Sequence, residues 1–487
     1  MKILFIAAEA LPWAKVGGLA DVVGSLPQTL ARLGHDVRLV IPKYGNIDVR
    51  QHGIRMLKDK LKVSIMGETR VANLRFTDSG RVPTYMVEND YYFGGEEVYG
   101  ENDLERFLFF SRVVFEMLPQ MDWQPEIVHC HDWHTSPVIM WMKKAHLPYA
   151  SVLTIHNLAY QGAFDNTFLN KAGLEEFWEH YPTEAPEPPL NFLSQGILWA
   201  DLVTTVSRTY AQEILTTEYG NGLESLLRYR QKDLLWIVNG IDHQEYNPAT
   251  DPFIEANYNS ESIGKRDLNK LALQQRANLP QNLNIPLIGM VQRLDEQKGF
   301  DILAEAADCF LTETEAQLVI LGKGRDCYES LLQQIAVRYP QQMSVFITRD
   351  NPLAHLIYAG CDLFLMPSHF EPCGIGQLIA MRYGALPIVR HTGGLVDTVP
   401  EFTADLKKGN GFVFREYTPD ALIAAVKQGI AAFENRVAWG EAMRRVMQLD
   451  FSWRASAAKY ESIYRQLLDR KGRSTAESRS RLQPKKQ

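Results

Sequence analysis

The stretch KILFIAAEALPWAKVGGLADVVGSLPQTLARLGHDVRLVIP, residues 2–42, decides the fold. It opens on the apolar run KILFIAA (2–8), which suits a strand buried on both faces, and then crosses a loop that ends at Gly18. A helical spacing of apolar residues follows over 19–33, and DVRLVIP (36–42) reads as a second strand, so the segment is one βαβ unit. Further β-type runs stand at EIVHCH (126–131), SVLTIH (151–156), LVTTVS (202–207) and LLWIVNG (234–240), several of them separated by helix-like stretches. A parallel sheet is the expected sum.

A passage rich in Pro, Asn and Asp covers 240–264, after which the same plan restarts at PLIGMVQRL (286–294). It continues through QLVILGKG (317–324), SVFIT (344–348), DLFLMP (362–367) and LPIVR (386–390), with helices expected from 299, over 353–359 and over 375–383. The repeat is one of architecture, not of sequence. The chain is therefore expected to be α/β, with two Rossmann-like, doubly wound domains at 1–245 and 246–454. Such sheets bind ligands beyond the carboxyl ends of their strands, and the expected site is a deep cleft that the two domains face.

The length of 487 residues leaves room for two or three domains, and 46% hydrophobic against 22% charged residues is the balance of a globular chain. A net charge of -7 argues against a nucleic-acid partner, which needs a broad basic face. The five cysteines form no C-x-x-C pair, which fits a reducing compartment. The apolar stretch 3–8 is cut short by Glu9, too early for an export signal, and no run of apolar residues is long enough to span a bilayer. A cytosolic location is expected, or the plastid stroma for a plant chain. Residues 470–487 carry seven basic residues against one acid and almost nothing apolar, the composition of a flexible tail.

Each half pairs its first strand with a loop that holds a basic residue and glycine: Lys15-Val16-Gly17-Gly18 in one, Arg293 with Lys298-Gly299 in the other. Phosphate is the guest such loops suit, because glycine lets backbone amides approach an anion to which Lys and Arg add full charge. Neither loop is G-x-G-x-x-G. The nearest approach, Gly322-Lys323-Gly324, has Cys327 at the third glycine position and no visible helix start, which disfavours a nicotinamide enzyme, and no P-loop motif occurs. Glu371, in SHFEPCG after strand DLFLMP, is placed to accept hydrogen bonds from sugar hydroxyls, or simply to complement a helix dipole. HTGGL (391–395) puts a second glycine turn at the same sheet edge. In the first half, HCHDWH (129–134) admits two readings: a metal site, or Asp132 as a hydrogen-bond partner of sugar hydroxyls. Alternate residues of a strand point to opposite faces, which favours the second. His156 ends strand SVLTIH and could donate to a hexose hydroxyl or phosphate, while Trp13, Tyr92, Trp133 and Tyr160 are candidates to stack on sugar rings.

Taken in order, KVGGLADVVGSLP, HDWH, TIHNLAYQG, VNGID, QRLDEQKG, HFEPCGIGQLIAMRYG and HTGGLVDTV resemble the bacterial glycogen synthase and plant starch synthase family, over nearly the whole chain up to FSW at 451–453. The resemblance implies a GT-B fold, with residues 455–469 as a helix that crosses back to the first domain. It implies ADP-glucose as donor, an α-1,4-glucan as acceptor, retention of configuration, and neither metal nor cofactor. His156, Arg293, Lys298 and Glu371 would be catalytic. Lys15, Gly18, Asp21, Asp132, Asn239, Gly374, Gly393 and Gly394 would bind substrate. Ile379 stands where the broader retaining clan often has a second acid, which glycogen and starch synthases also lack. The rival readings are a related transferase with a soluble acceptor, a silent glucan-binding protein and an NAD-dependent oxidoreductase.

Overall fold

The computed structural model describes residues 1–182 and 190–482, with side chains as far as 473. The chain forms two compact units: Met1–Gly240 together with the chain from Trp453, and Ile241–Ser452.

The first unit is built on a nine-stranded sheet of β1 (Lys2–Ile6), β2 (Asp36–Pro42), β3 (Arg55–Ile65), β4 (Glu68–Thr77), β5 (Thr84–Glu88), β6 (Ile127–His131), β7 (Ala150–Ile155), β8 (Leu202–Thr205) and β9 (Leu234–Trp236). The order is β3-β4-β5-β2-β1-β6-β7-β8-β9. Ile3, Leu4, Phe5 and Ile6 have no exposed surface, as the continuous apolar run requires of a central parallel strand. The sheet departs from the expected all-parallel form on one side, where β4 runs antiparallel to both β3 and β5. A tight turn at Met66 and Gly67, both with positive φ, joins β3 to β4. Such a turn matches the twist of two antiparallel strands.

The helix α1 (Gly18–Arg32) follows the first loop as expected, with Leu19, Val22, Val23, Leu26 and Leu30 buried. The unit ends in helix α6 (Trp453–Leu482), whose Trp453, Ala457, Tyr460, Tyr464 and Leu467 form one buried stripe at helical spacing and pack against α1 and β7. This helix continues through Arg470–Leu482, the first part of the expected tail; residues 483–487 lie outside the described residues. Among the described residues no helix is long and apolar enough to cross a membrane.

The second unit holds six parallel strands, β10 (Leu287–Val291), β11 (Gln317–Gly322), β12 (Met343–Ile347), β13 (Leu363–Met366), β14 (Leu386–Arg390) and β15 (Phe412–Phe414), in the order β12-β11-β10-β13-β14-β15. Chain direction across the sheet reverses at β10, so β10 and β13 bound a topological switch point, where α/β sheets place ligands. The helices that bear on the site are α2 (Phe300–Glu313), α3 (Asp326–Arg338), α4 (Gly376–Arg382) and α5 (Gly393–Thr398). A helix does begin directly after Gly322-Lys323-Gly324, at Asp326, which the sequence reading missed. That glycine turn packs on the β10 loop instead: a Cβ on Gly324 would lie 2.1 Å from the carbonyl oxygen of Leu294.

Candidate active site

In the first unit the chemistry collects at the carboxyl ends of three neighbouring strands, β1, β6 and β7. Beyond β1 the chain enters the Lys15–Gly18 loop, where Lys15 Nζ stands 2.7 Å from Asp21 Oδ1. The loop is held by a residue the sequence reading had treated only as an interruption. Glu9, 2% exposed, accepts hydrogen bonds at Oε2 from the amides of Val16 and Gly17, and Tyr99 donates to its Oε1 at 3.2 Å. Burial pushes the Glu9 carboxyl up to about 7 against the lowering effect of those amides. Glu9→Ala is expected to release the loop and lower kcat/KM by about tenfold or more, while Glu9→Gln, which keeps an acceptor for the amides, retains most activity. Steady-state kinetics on the two variants check this.

Asp132 ends β6 with φ 56 and ψ -171, a conformation that costs a non-glycine residue about 1–3 kcal/mol. The strain is held on several sides. Its amide donates to the Thr154 carbonyl at 3.0 Å, its carbonyl accepts from Ser136 Oγ at 3.1 Å, and its Oδ1 accepts from the His156 amide at 2.7 Å. Burial raises the Asp132 carboxyl to about 7. Asp132 thus spends one oxygen on the β7 loop and fixes His156 there. The other histidines of HCHDWH have separate partners: His129 lies between Tyr464 and Thr154, His131 bonds to His156, and the His134 ring packs on Trp133 and Phe107. Among the described residues no group of three or more His, Cys, Asp or Glu is arranged to hold a metal ion. Asn239, beyond β9, is buried with Oδ1 unpartnered among the described residues. Of the stacking candidates, Trp13, Tyr92 and Trp133 are buried, and Tyr160 is 47% exposed.

In the second unit the expected residues follow three adjacent strands, β10, β13 and β14. Gly299, at φ 74, lets the β10 loop touch the end of β13; a Cβ there would lie 2.0 Å from the Pro367 carbonyl oxygen. The contact carries Lys298 to Glu371: Nζ to Oε2 is 2.6 Å, with side chains only 17% and 7% exposed. Ser368 Oγ donates to the same Oε2 at 3.0 Å, and the Gln297 side chain donates to the Phe370 carbonyl at 3.2 Å. Arg293 lies more open, its Nε 3.5 Å from Asp295 Oδ2. The amide of Gly394, at the start of α5, donates to the Glu371 carbonyl at 2.9 Å, and any Cβ at Gly394 would strike the Cys373 backbone at 2.2 Å. Gly374 and Gly393 both have positive φ beside it. Glu371 is thus tied to the Gly393-Gly394 turn through backbone and to Lys298 through charge.

A family model for the starch synthase catalytic domain matches residues 2–229, and one for glycosyl transferases group 1 matches 273–446. The glycogen synthase of Geotalea uraniireducens (strain Rf4) is 44% identical over 485 residues, covering 97% of this chain and 100% of that one. The chain belongs to the glycogen and starch synthase family. A second glycogen synthase, from Moorella thermoacetica, is 43% identical over 97% of this chain and 98% of its own length. Among solved structures, the catalytic domain of starch synthase IV from Arabidopsis thaliana, bound to ADP and acarbose, superposes with a TM-score of 0.88 at 33% identity, covering 96% of this chain and 99% of that one. As a glycogen and starch synthase family member the protein is a hexosyltransferase of the GT-B class, with two Rossmann-like units.

Proposed function

We propose that this protein transfers glucose from ADP-glucose to the non-reducing end of an α-1,4-glucan with retention of configuration, releasing ADP. The observation that carries the mechanism is the Lys298–Glu371 pair at the switch point of the second unit. A buried ion pair is retained at the expense of desolvation, and both members have better partners in a sugar nucleotide: the diphosphate for Lys298, glucose hydroxyls for Glu371. Arg293 adds a second cation to the diphosphate, with amides around Gly374 and Gly393 as donors to substrate oxygens and Gly394 lining the site while its own amide holds the Glu371 carbonyl. In the first unit Lys15, Gly18 and Asp21 serve the glucosyl-phosphate side, and His156, Asp132 and Asn239 the sugar hydroxyls.

A retaining double displacement needs two carboxylates about 5 Å apart with one free to attack. Glu371 is already engaged with Lys298 and Ser368, and Ile379, the position where a second acid would stand, is a buried aliphatic residue in α4. A same-face displacement fits better. The bond from C1 to the phosphate oxygen breaks, the acceptor 4-hydroxyl oxygen bonds to C1 on the same face, and its proton passes to the departing phosphate. Lys298 and Arg293 stabilise the charge that develops on that phosphate. The bacterial relatives and five cysteines that form no disulfide among the described residues support a cytosolic setting.

Purified protein should release ADP from ADP-glucose only when glycogen is added, at a rate unchanged by a chelator of divalent ions. Turnover with free sugars or sugar phosphates in place of glycogen would overturn the acceptor assignment, and a rate abolished by chelator would overturn the metal-free mechanism.

A further inference from the structure

His131 and His156 share one hydrogen bond, Nδ1 of the first to Nε2 of the second at 2.9 Å. His131 is fully buried, its ring packed against those of Phe5 and His129, which also touch each other, whereas His156 keeps partial exposure at the end of β7. Burial holds both imidazoles neutral near pH 7, lowering His156 to about 3 and His131 well below its ordinary value. A neutral pair can place the shared proton in two ways. If His156 donates, His131 must carry its own proton on Nε2, and that atom is buried without a partner among the described residues. If His131 donates, Nε2 is left as a bare acceptor. Buried N–H groups without an acceptor are rarer in folded proteins than under-used acceptors.

We infer that His131 is a positioning residue: it donates its Nδ1–H to His156, fixes His156 in the Nδ1–H tautomer, and so makes His156 a hydrogen-bond donor toward an oxygen of the transferred hexose. The inference rests on the proposed function only in its last step. His156 Nδ1 has no hydrogen-bond partner among the described residues, and its amide is anchored by Asp132, so the ring is held from both sides with one nitrogen left over. The assignment also explains why HCHDWH contains a fully buried histidine. His131 presents one N–H along one direction, and its flat ring is held by packing against two other rings.

The test is the imidazole nitrogen spectrum of histidine-labelled, ligand-free protein at neutral pH, with the His156 signals identified by their loss in His156→Gln. Wild type should show the Nδ1–H tautomer of His156. His131→Asn, whose side-chain amide can donate in place of Nδ1–H, should retain that tautomer and keep turnover within a few fold, while His131→Leu should lose the tautomer and lower kcat by about tenfold or more. An Nε2–H tautomer of His156 in wild type would overturn the inference, as would an Nδ1–H tautomer that persists in His131→Leu. A tautomer that changes in His131→Leu with kcat unaltered supports the role of His131 and overturns His156 as a sugar ligand. If His131→Leu does not fold, the wild-type and His131→Asn spectra decide the assignment by themselves.

Discussion

Lys298→Gln is expected to lower turnover by about 100- to 1,000-fold, the scale of removing one donor from a site of developing charge. Glutamine can still donate to Glu371 in the resting protein but brings no charge to the departing diphosphate. The variant therefore separates two functions that Lys298→Ala would confuse. Alanine would leave Glu371, 7% exposed, as an uncompensated buried carboxylate, at a cost of about 3–5 kcal/mol in stability. Glycogen binding should change little in Lys298→Gln, because the acceptor makes no demand on that charge. Rapid-quench measurement of ADP formation, with glycogen affinity measured separately, checks both parts; turnover within a few fold of wild type would remove Lys298 from the leaving-group role.

Acid should destabilise the first unit as pH falls from about 6.5 toward 4.5. Burial lowers His129, His134 and His156 from 6.5 to about 3, and His131 well below 6.5. Released by unfolding, each binds a proton near pH 6.5. The stability they contribute is present above that value and is lost as pH falls toward the folded values, at up to about 1.4 kcal/mol per pH unit for each group. Glu9 and Asp132 act in the opposite sense. Both are raised to about 7 in the fold, so their contribution is present at low pH and declines as pH rises through 7. His35, lowered by burial as well, joins the histidines, and Asp21 and Asp103, raised by burial, join the carboxyls; five histidines against four carboxyls leave a net slope that favours neutral pH. Urea titrations across this range should show the loss. His134→Phe, which keeps a ring against Trp133 and Phe107, should reduce the slope by up to the share of one histidine. An unchanged slope in that variant would place the acid sensitivity elsewhere.

The α/β plan could be read from the chain because local signals agreed with the global fold. Strands buried on both faces must be apolar throughout, so KILFIAA and PLIGMV announce themselves, and the loops that follow them are marked by glycine with Lys or Arg. The β3–β4 hairpin was missed for the opposite reason. Its strand RMLKDKLKVSI is largely exposed and lysine-rich, and the one cue it offered was the Met66-Gly67 turn. Glu9 was read as a break in an apolar stretch, since nothing local to it indicates that Val16 and Gly17 will turn back and donate to it.

Residue types, their order along the chain and their placement at strand ends were thus determined by the sequence itself, and through these the two sheets, the basic glycine loops and the family. Which side chains meet was decided by tertiary structure. Lys298 and Glu371 stand 73 positions apart and become a pair because Gly299 admits the Pro367 backbone. His131 and His156 become a donor and an acceptor because neighbouring strands β6 and β7 end at the same sheet edge. Burial then sets the charge of each group. Desolvation depends on everything packed around a side chain and on no short stretch of sequence, so protonation and pairing exist only once the core has closed around them.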